Sequence, residues 1–368
     1  MKDKIKKNRI ILITYGIIIL LDILMWISKA FSDLIIKTIF RLGLRTYSAI
    51  MSIFPFSVGE WFIVIGILLV VAFVILVITI PFVKNEKFKI VRNKYIKTFF
   101  WILAGVGVIM SFNCVSLYHG STFAEKNLKK SDRSKEKLIE LREMIITNGN
   151  RLSLEMERDK EGYVIYSEDY EEECKKAMKN LGKEYPMFSG YYPNPKKLFF
   201  SDFASQQYLG GVYFPFTLEA NYNKTMYNVN YPATICHEYT HLKGIILEDE
   251  ANFLGYLACV LSDDKYLQYS GYSSVYGYVD RDLRNILNED DEYMKTMTMP
   301  NELFNRDFIF LTNEEWERVE KKAVFSTETV DAVSETLTDT SLKVNGVEEG
   351  MKSYSMVVNL LLDYYDQK

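Results

Sequence analysis

Three long apolar runs dominate the first third of the chain, at 10–27, 61–83 and 98–117. A helix needs about 20 residues to cross bilayer hydrocarbon, so each run is predicted to span a membrane. The second and third contain no charged side chain, and the first contains only Asp22, close enough to its end to sit at the interface. Between the first two runs, residues 31–55 mix apolar side chains with Lys37, Arg41 and Arg45 at a spacing that suits an interfacial helix, with a plain loop as the alternative.

Beyond residue 118 the pattern changes. Helical periodicity rich in Lys and Glu appears at about 132–148 and 167–181. From Lys196 the chain turns aromatic and β-prone, and Gly210–Gly211 marks a turn into a single expected strand over 211–220. Pro232 suits the opening of a helix that runs through ATICHEYTHLK to Gly244, a residue fit for the left-handed position that ends a helix. A second helix is expected from Glu248, a third over the Tyr-rich stretch 265–287, and mixed helices beyond, ending in SYSMVVNLLLDYY. The expected fold is mainly α with a small β-sheet: transmembrane helices in 1–118, then an α+β domain in 119–368.

Charge sharpens that division. Residues 1–118 carry a net charge of +10 and the remainder −14. The acidic domain argues against nucleic acid as a partner. Lys2, Lys4, Lys6, Lys7 and Arg9 could open a signal peptide, but no small-residue cleavage pattern follows Ile27, so the first run is read as retained. The basic residues closest to the spans lie in the N-terminal tail and in 84–97, which places those segments in the cytoplasm and the acidic domain outside. Cys174, Cys236 and Cys259 lack metal-type pairing; a Cys236–Cys259 bridge is conceivable outside the cell, and buried free thiols are the favoured reading.

Two of the chain's three histidines fall in one pentapeptide, His237-Glu238-Tyr239-Thr240-His241. On a helix, residues four apart share a face, so both imidazoles can converge on one zinc ion while Glu238, one step round, addresses the ion's open position as a general base. Chance would place such a pattern in a chain of this composition roughly two times in a thousand. A third ligand should follow closely, and Glu248, Asp249 and Glu250 offer three carboxylates.

The run E248-D249-E250-A251-N252 resembles the Glu-x-x-Ala-Asn helix of minimal Glu-zincins, as in membrane-embedded prenyl-protein and heat-shock proteases and in antirepressor proteases. That resemblance implies Glu248 as the third zinc ligand and Asn252 as a residue that orients a ligand, with Glu250 as the alternative ligand. Gly244 fits the longer metzincin pattern, but Leu247 stands where its third histidine belongs. YFPFTLEAN, CHEYTHLKG, EDEANFLGYLAC, YSGY and GMKSYSMVVNLLLDYY further resemble a bacterial membrane family labelled as a domain of unknown function, DUF3810.

Other residues have narrower claims. Tyr213, Phe214 and Phe216 either belong to an edge strand that pairs with an extended peptide or pack in the core. Tyr354 or Lys352 could donate to an oxyanion, or simply dock the last helix. His119, just beyond the third run, is read as an interfacial side chain. The expected function is a membrane-anchored zinc metalloprotease of the cell membrane, acting on a peptide or protein substrate at the lipid surface. The alternative is a non-catalytic zinc-binding sensor or scaffold. A transporter is disfavoured, because the spans lack paired intramembrane charges.

Overall fold

The computed structural model describes residues 2–166, 169–287 and 292–368. The protein is mainly helical with one three-stranded sheet. Its chain divides into two compact units: Met1–Ser121 with Phe214–Glu219, and Thr122–Tyr213 with Ala220–Lys368.

In the first unit, Arg9–Ile27, Val58–Ile78 and Glu86–Tyr118 are long and apolar enough to cross a membrane. Side chains such as Leu12 and Leu68 stay exposed on them, the pattern of helices that are hydrophobic all round. Two expected boundaries are corrected. The second helix stops at Ile78 rather than Val83, where the chain enters turns before Pro81. The third begins at Glu86 rather than Thr98, because the Asn85 side chain accepts the N–H groups of Lys87 and Phe88 and starts a helix through the basic residues before Thr98. The segment between the first two spans is helical over Lys29–Ile35, Ile36–Phe40 and Arg41–Met51, opened by Ser28, whose hydroxyl accepts from Phe31 N–H.

In the second unit, Ser134 and Asp169 cap the helices Lys135–Ser153 and Tyr170–Glu184. The sheet has the order β1-β3-β2, with β1 (Lys196–Lys197) parallel to β3 (Glu219–Tyr222) in the register Lys196↔Asn221, which leaves β2 (Gly211–Phe214) at an edge. The single strand expected over 211–220 is therefore two. Pro215, Phe216, the β-prone Thr217 and Leu218 carry the strand-like pattern on and mask a turn closed by Leu218, a non-glycine residue with φ of 52°.

Around the sheet pack the histidine helix Tyr231–His241, the glutamate helix Glu248–Val260 and a long helix Lys265–Ile286. Ile235, Tyr239, Phe253, Leu254, Leu257 and Leu267 are fully buried among them. Each such side chain contributes about 1.5–3 kcal/mol through burial. The histidine helix has no side-chain cap of its own; Ser270 on the long helix accepts from Ala233 N–H at 3.0 Å instead. Four free thiols remain, with Cys174, Cys236 and Cys259 buried in this core. A separate polar cluster is built on Asp307, whose carboxylate accepts from Arg158, Tyr227 and Tyr269.

Candidate metal centre

The helix ending at His241 is terminated as its sequence requires. Gly244 takes φ of 93°, its N–H reaches His241 O at 3.0 Å, and Ile245 N–H reaches Thr240 O at 3.2 Å. This left-handed closure turns the chain sharply, so the glutamate helix starts only a few residues later and returns across the histidine helix. The two helices touch at Gly255, where a Cβ would lie 3.0 Å from His237 N and 3.1 Å from Ala233 O. Glu248, Asn252 and Gly255 occupy successive turns of one face, so the close approach at Gly255 carries the other two to the histidines.

The three ligand candidates meet. His237 Nε2 lies 3.1 Å from His241 Nε2 and 3.1 Å from Glu248 Oε2, and His241 Nε2 lies 3.8 Å from the same oxygen. A tetrahedral zinc ion with bonds of about 2.0–2.1 Å separates its ligand atoms by roughly 3.3–3.4 Å, and the observed sides bracket that value. Glu238 is also near, its ligand oxygen within 4.8 Å of both imidazoles, but at 4.0 Å from His237 Nε2 it stands farther off than Glu248. Glu248 completes the tighter triangle.

The outer contacts decide which imidazole nitrogens face inward. His237 Nδ1 is 2.9 Å from Asn252 Oδ1, and His241 Nδ1 is 2.7 Å from Ile245 O. Both oxygens only accept, so each Nδ1 carries its hydrogen and each Nε2 turns a lone pair toward the other and toward a carboxylate. Three acceptors facing one another, with His241 buried and His237 and Glu248 only partly exposed, need a cation or a proton between them. Glu238 adds to this demand, because its Oε2 is buried without a hydrogen-bond partner.

Without a metal, a proton fills that role. Burial opposes the imidazolium of His237, yet the hydrogen bond and charge of Glu248 outweigh it and lift the group to about 9. Burial, the largest influence on both, pushes His241 down to about 4 against the opposing charge of Glu248, and Glu238 up to about 8 against the opposing charge of His237. Burial also works against the Glu248 carboxylate, but the two histidines and a hydrogen bond from Tyr354 hold it below its ordinary value. Tyr354, in the 3-10 turn Gly350–Met356, thus sits at the third ligand candidate.

Other expected residues fall elsewhere. Glu250 points away from the histidines and accepts from Phe123 N–H at 2.9 Å and Ala124 N–H at 2.7 Å, so the alternative ligand is engaged as a helix cap. Tyr213 on β2 lies beside His241, with ring centroids 5.9 Å apart. Phe214 and Phe216 belong to the first unit, and Phe216 lies in the turn rather than on the strand. Of the three residues expected on one strand, Tyr213 and Phe214 lie on β2 and Phe216 does not. His119 stacks on Trp26 at 4.1 Å in the first unit.

Sequence reasoning missed two residues here. Gly255 is one; Gly211 is the other, expected only as the mark of a turn, whereas a Cβ there would fall 2.5 Å from Glu238 Oε1. The signal was present in each case as a glycine inside a regular element, where it marks a close approach. A half-open cavity of about 870 Å³, walled by Phe199, Phe203, Val319 and Phe325, shares no residue with the histidine site.

The model of the family described as a protein of unknown function (DUF3810) matches residues 36–362. No curated protein and no solved structure matches the chain.

Proposed function

This chain belongs to the DUF3810 family, and we propose that it is a membrane-anchored, zinc-dependent hydrolase of peptide bonds with a zincin-like domain. The observation that carries the reading is the convergence of His237 Nε2, His241 Nε2 and Glu248 Oε2, all acceptors, beside a carboxylate oxygen of Glu238 that has no partner. A purely structural zinc site closes with four protein ligands, whereas three ligands and an unengaged base suit hydrolysis.

His237, His241 and Glu248 would hold the ion, with Asn252 and the Ile245 carbonyl fixing the imidazoles. When bound, zinc supplies Lewis-acid polarisation and a positive charge that favours the ionised form of Glu238. Glu238 then takes a proton from water as the water oxygen adds to the carbonyl carbon, and returns it to the departing amine as the C–N bond breaks. Tyr354, held at Glu248, is within the site and is assigned as a donor to the developing oxyanion. The edge position of β2 and the placement of Tyr213 at His241 support an extended peptide as substrate.

The acidic unit is assigned to the outer face of the cell membrane, which labelling of an introduced cysteine in intact cells checks. For activity, membrane and secreted peptide ends are compared between cells carrying wild-type protein and Glu238→Gln. The variant keeps its zinc, and removal of a general base costs about 10²–10⁴ in rate, so a class of cleavage products disappears. Identical peptide ends in the two strains would sink the hydrolase reading and favour a zinc-binding scaffold.

A further inference from the structure

The half-open cavity of about 870 Å³ lies wholly within the second unit and is built from two stretches far apart in sequence. One is the short helix Ser201–Ser205 with the phenylalanines before it, and the other is the helix Asn313–Lys322 with the loop that follows. Two polar ties hold them together. Asp202 Oδ2 accepts from Arg318 Nη1 at 2.7 Å, and Gln206 Nε2 donates to Phe325 O at 2.9 Å. The hollow is therefore formed by the chain itself, and its volume falls among the roughly 300–1,000 Å³ of pockets that enclose one small molecule.

Its wall is apolar and open to water. Phe199 is 62% exposed, Phe203 53% and Phe325 67%. Single apolar side chains on a surface need no explanation, but aromatic rings gathered round one concavity mark a place where something binds. Rings this exposed add little to the stability of the core, so packing does not account for the cluster.

The polar side of the hollow carries three cations, Lys224, Arg318 and Lys322, against two carboxylates, Asp202 and Glu315. Arg318 is engaged: besides Asp202 it donates from Nε to Glu315 Oε2 at 2.7 Å and from Nη2 to Thr225 Oγ1 at 3.2 Å. Lys322 shares the Asp202 carboxylate at 3.4 Å. Lys224 stands exposed with no ion-pair partner among the described residues. One positive charge is left over, in a domain whose net charge is strongly negative. An excess of that sign beside an aromatic wall complements a molecule with an apolar body and one negative charge.

We propose that this cavity binds a single-chain amphiphilic carboxylate of the fatty-acid type, its chain against Phe199, Phe203, Val319 and Phe325 and its carboxylate at Lys224 and Lys322. A phosphate monoester, with a charge of about −1.5 to −2 at neutral pH, exceeds the charge the cavity offers. The site shares no residue with the histidines, and its occupancy does not depend on the hydrolase reading.

The test is equilibrium binding of radiolabelled decanoate to the full-length protein in phosphatidylcholine nanodiscs, with empty discs subtracted. A chelator is present, so no metal offers the carboxylate a second place. Decanoate binds a single saturable site per chain, about fifteenfold more tightly than octanoate, since each of two further methylenes contributes about 0.8 kcal/mol. Decanol, with the same chain and no charge, binds several-fold more weakly. Lys224→Glu reverses the local excess of charge, and Phe203→Ser removes part of the wall; each weakens decanoate binding about tenfold. Both side chains are exposed, and protection of 233–241 in amide exchange checks that the variants are folded; Phe325→Ser replaces either one that is not. Absence of saturable binding overturns the proposal, as does equal affinity for decanol or wild-type affinity in the folded variants. A dimer that Phe203→Ser dissociates, with no decanoate bound, assigns the face to a second copy of the chain and overturns it too.

Discussion

Two buried polar clusters in the second unit contain similar side chains and are built in opposite ways. Around Asp307 each carboxylate oxygen accepts from one Arg158 nitrogen and one tyrosine hydroxyl, Tyr227 for Oδ1 and Tyr269 for Oδ2. Around His237 the inward-facing atoms are lone pairs and carboxylate oxygens, while donors lie on the outer side. In the first cluster the Asp307 carboxylate has its counter-charge and its donors within the chain, and ties Arg158 to the end of the helix Glu302–Asp307. The second is complete only with a positive charge from outside the chain. Burial of charge alone therefore does not identify a functional site; an imbalance of donors and acceptors does.

The comparison breaks most sharply at the third ligand. Glu248→Ala should weaken zinc binding by about 10³-fold, as expected for losing one of three ligands that share roughly 10–16 kcal/mol, while Glu250→Ala keeps wild-type affinity. Chelator competition measures both, and the reverse order would move the ligand to Glu250.

At the other cluster, Asp307→Asn leaves the Arg158 charge buried without its counterpart. Removing one partner of a buried ion pair costs about 3–5 kcal/mol. Thermal denaturation should register that loss, with zinc bound per folded molecule unchanged. A variant that lost zinc affinity instead would mean the two clusters are one.

The smallest effect tests whether a proton stands among His237, His241 and Glu248 when metal is removed. His237 holds its proton up to about 9 in the metal-free protein, so an entering ion must expel it. Proton competition is absent above that value and grows as pH falls, so apparent zinc affinity drops about tenfold per unit between roughly pH 8 and 6. Competition titrations across that range check the slope; a flat profile would show that His237 carries no proton there.

The difference between the clusters also explains what could be read from sequence. The convergence of the histidine pair was legible because the spacing of two imidazoles on one helix is local, and Gly244 marked where that helix must end. Glu248 and Asn252 became legible through resemblance to a known motif. Glu250 could not be separated from Glu248 by composition, because its role depends on the N–H groups of Phe123 and Ala124, distant in sequence. The hairpin was read as one strand because a positive-φ leucine leaves no local mark, and its turn is held by Tyr47, Ser48 and Asn113. The Asp307 cluster went unseen for the same reason: its members are scattered and none belongs to a spacing motif.

Gly255 has a consequence for the inorganic chemistry of the site. Its absent side chain sets the separation of the two helices against backbone atoms of Ala233 and His237, which cannot swing aside. A methyl group there would force the helices apart by a few tenths of an ångström, comparable to the gap between zinc bonds of about 2.0–2.1 Å and calcium bonds of about 2.3–2.6 Å. On the zinc reading proposed above, position 255 would work as a gauge of ionic radius, its amino acid constrained by the size of an atom the gene does not encode.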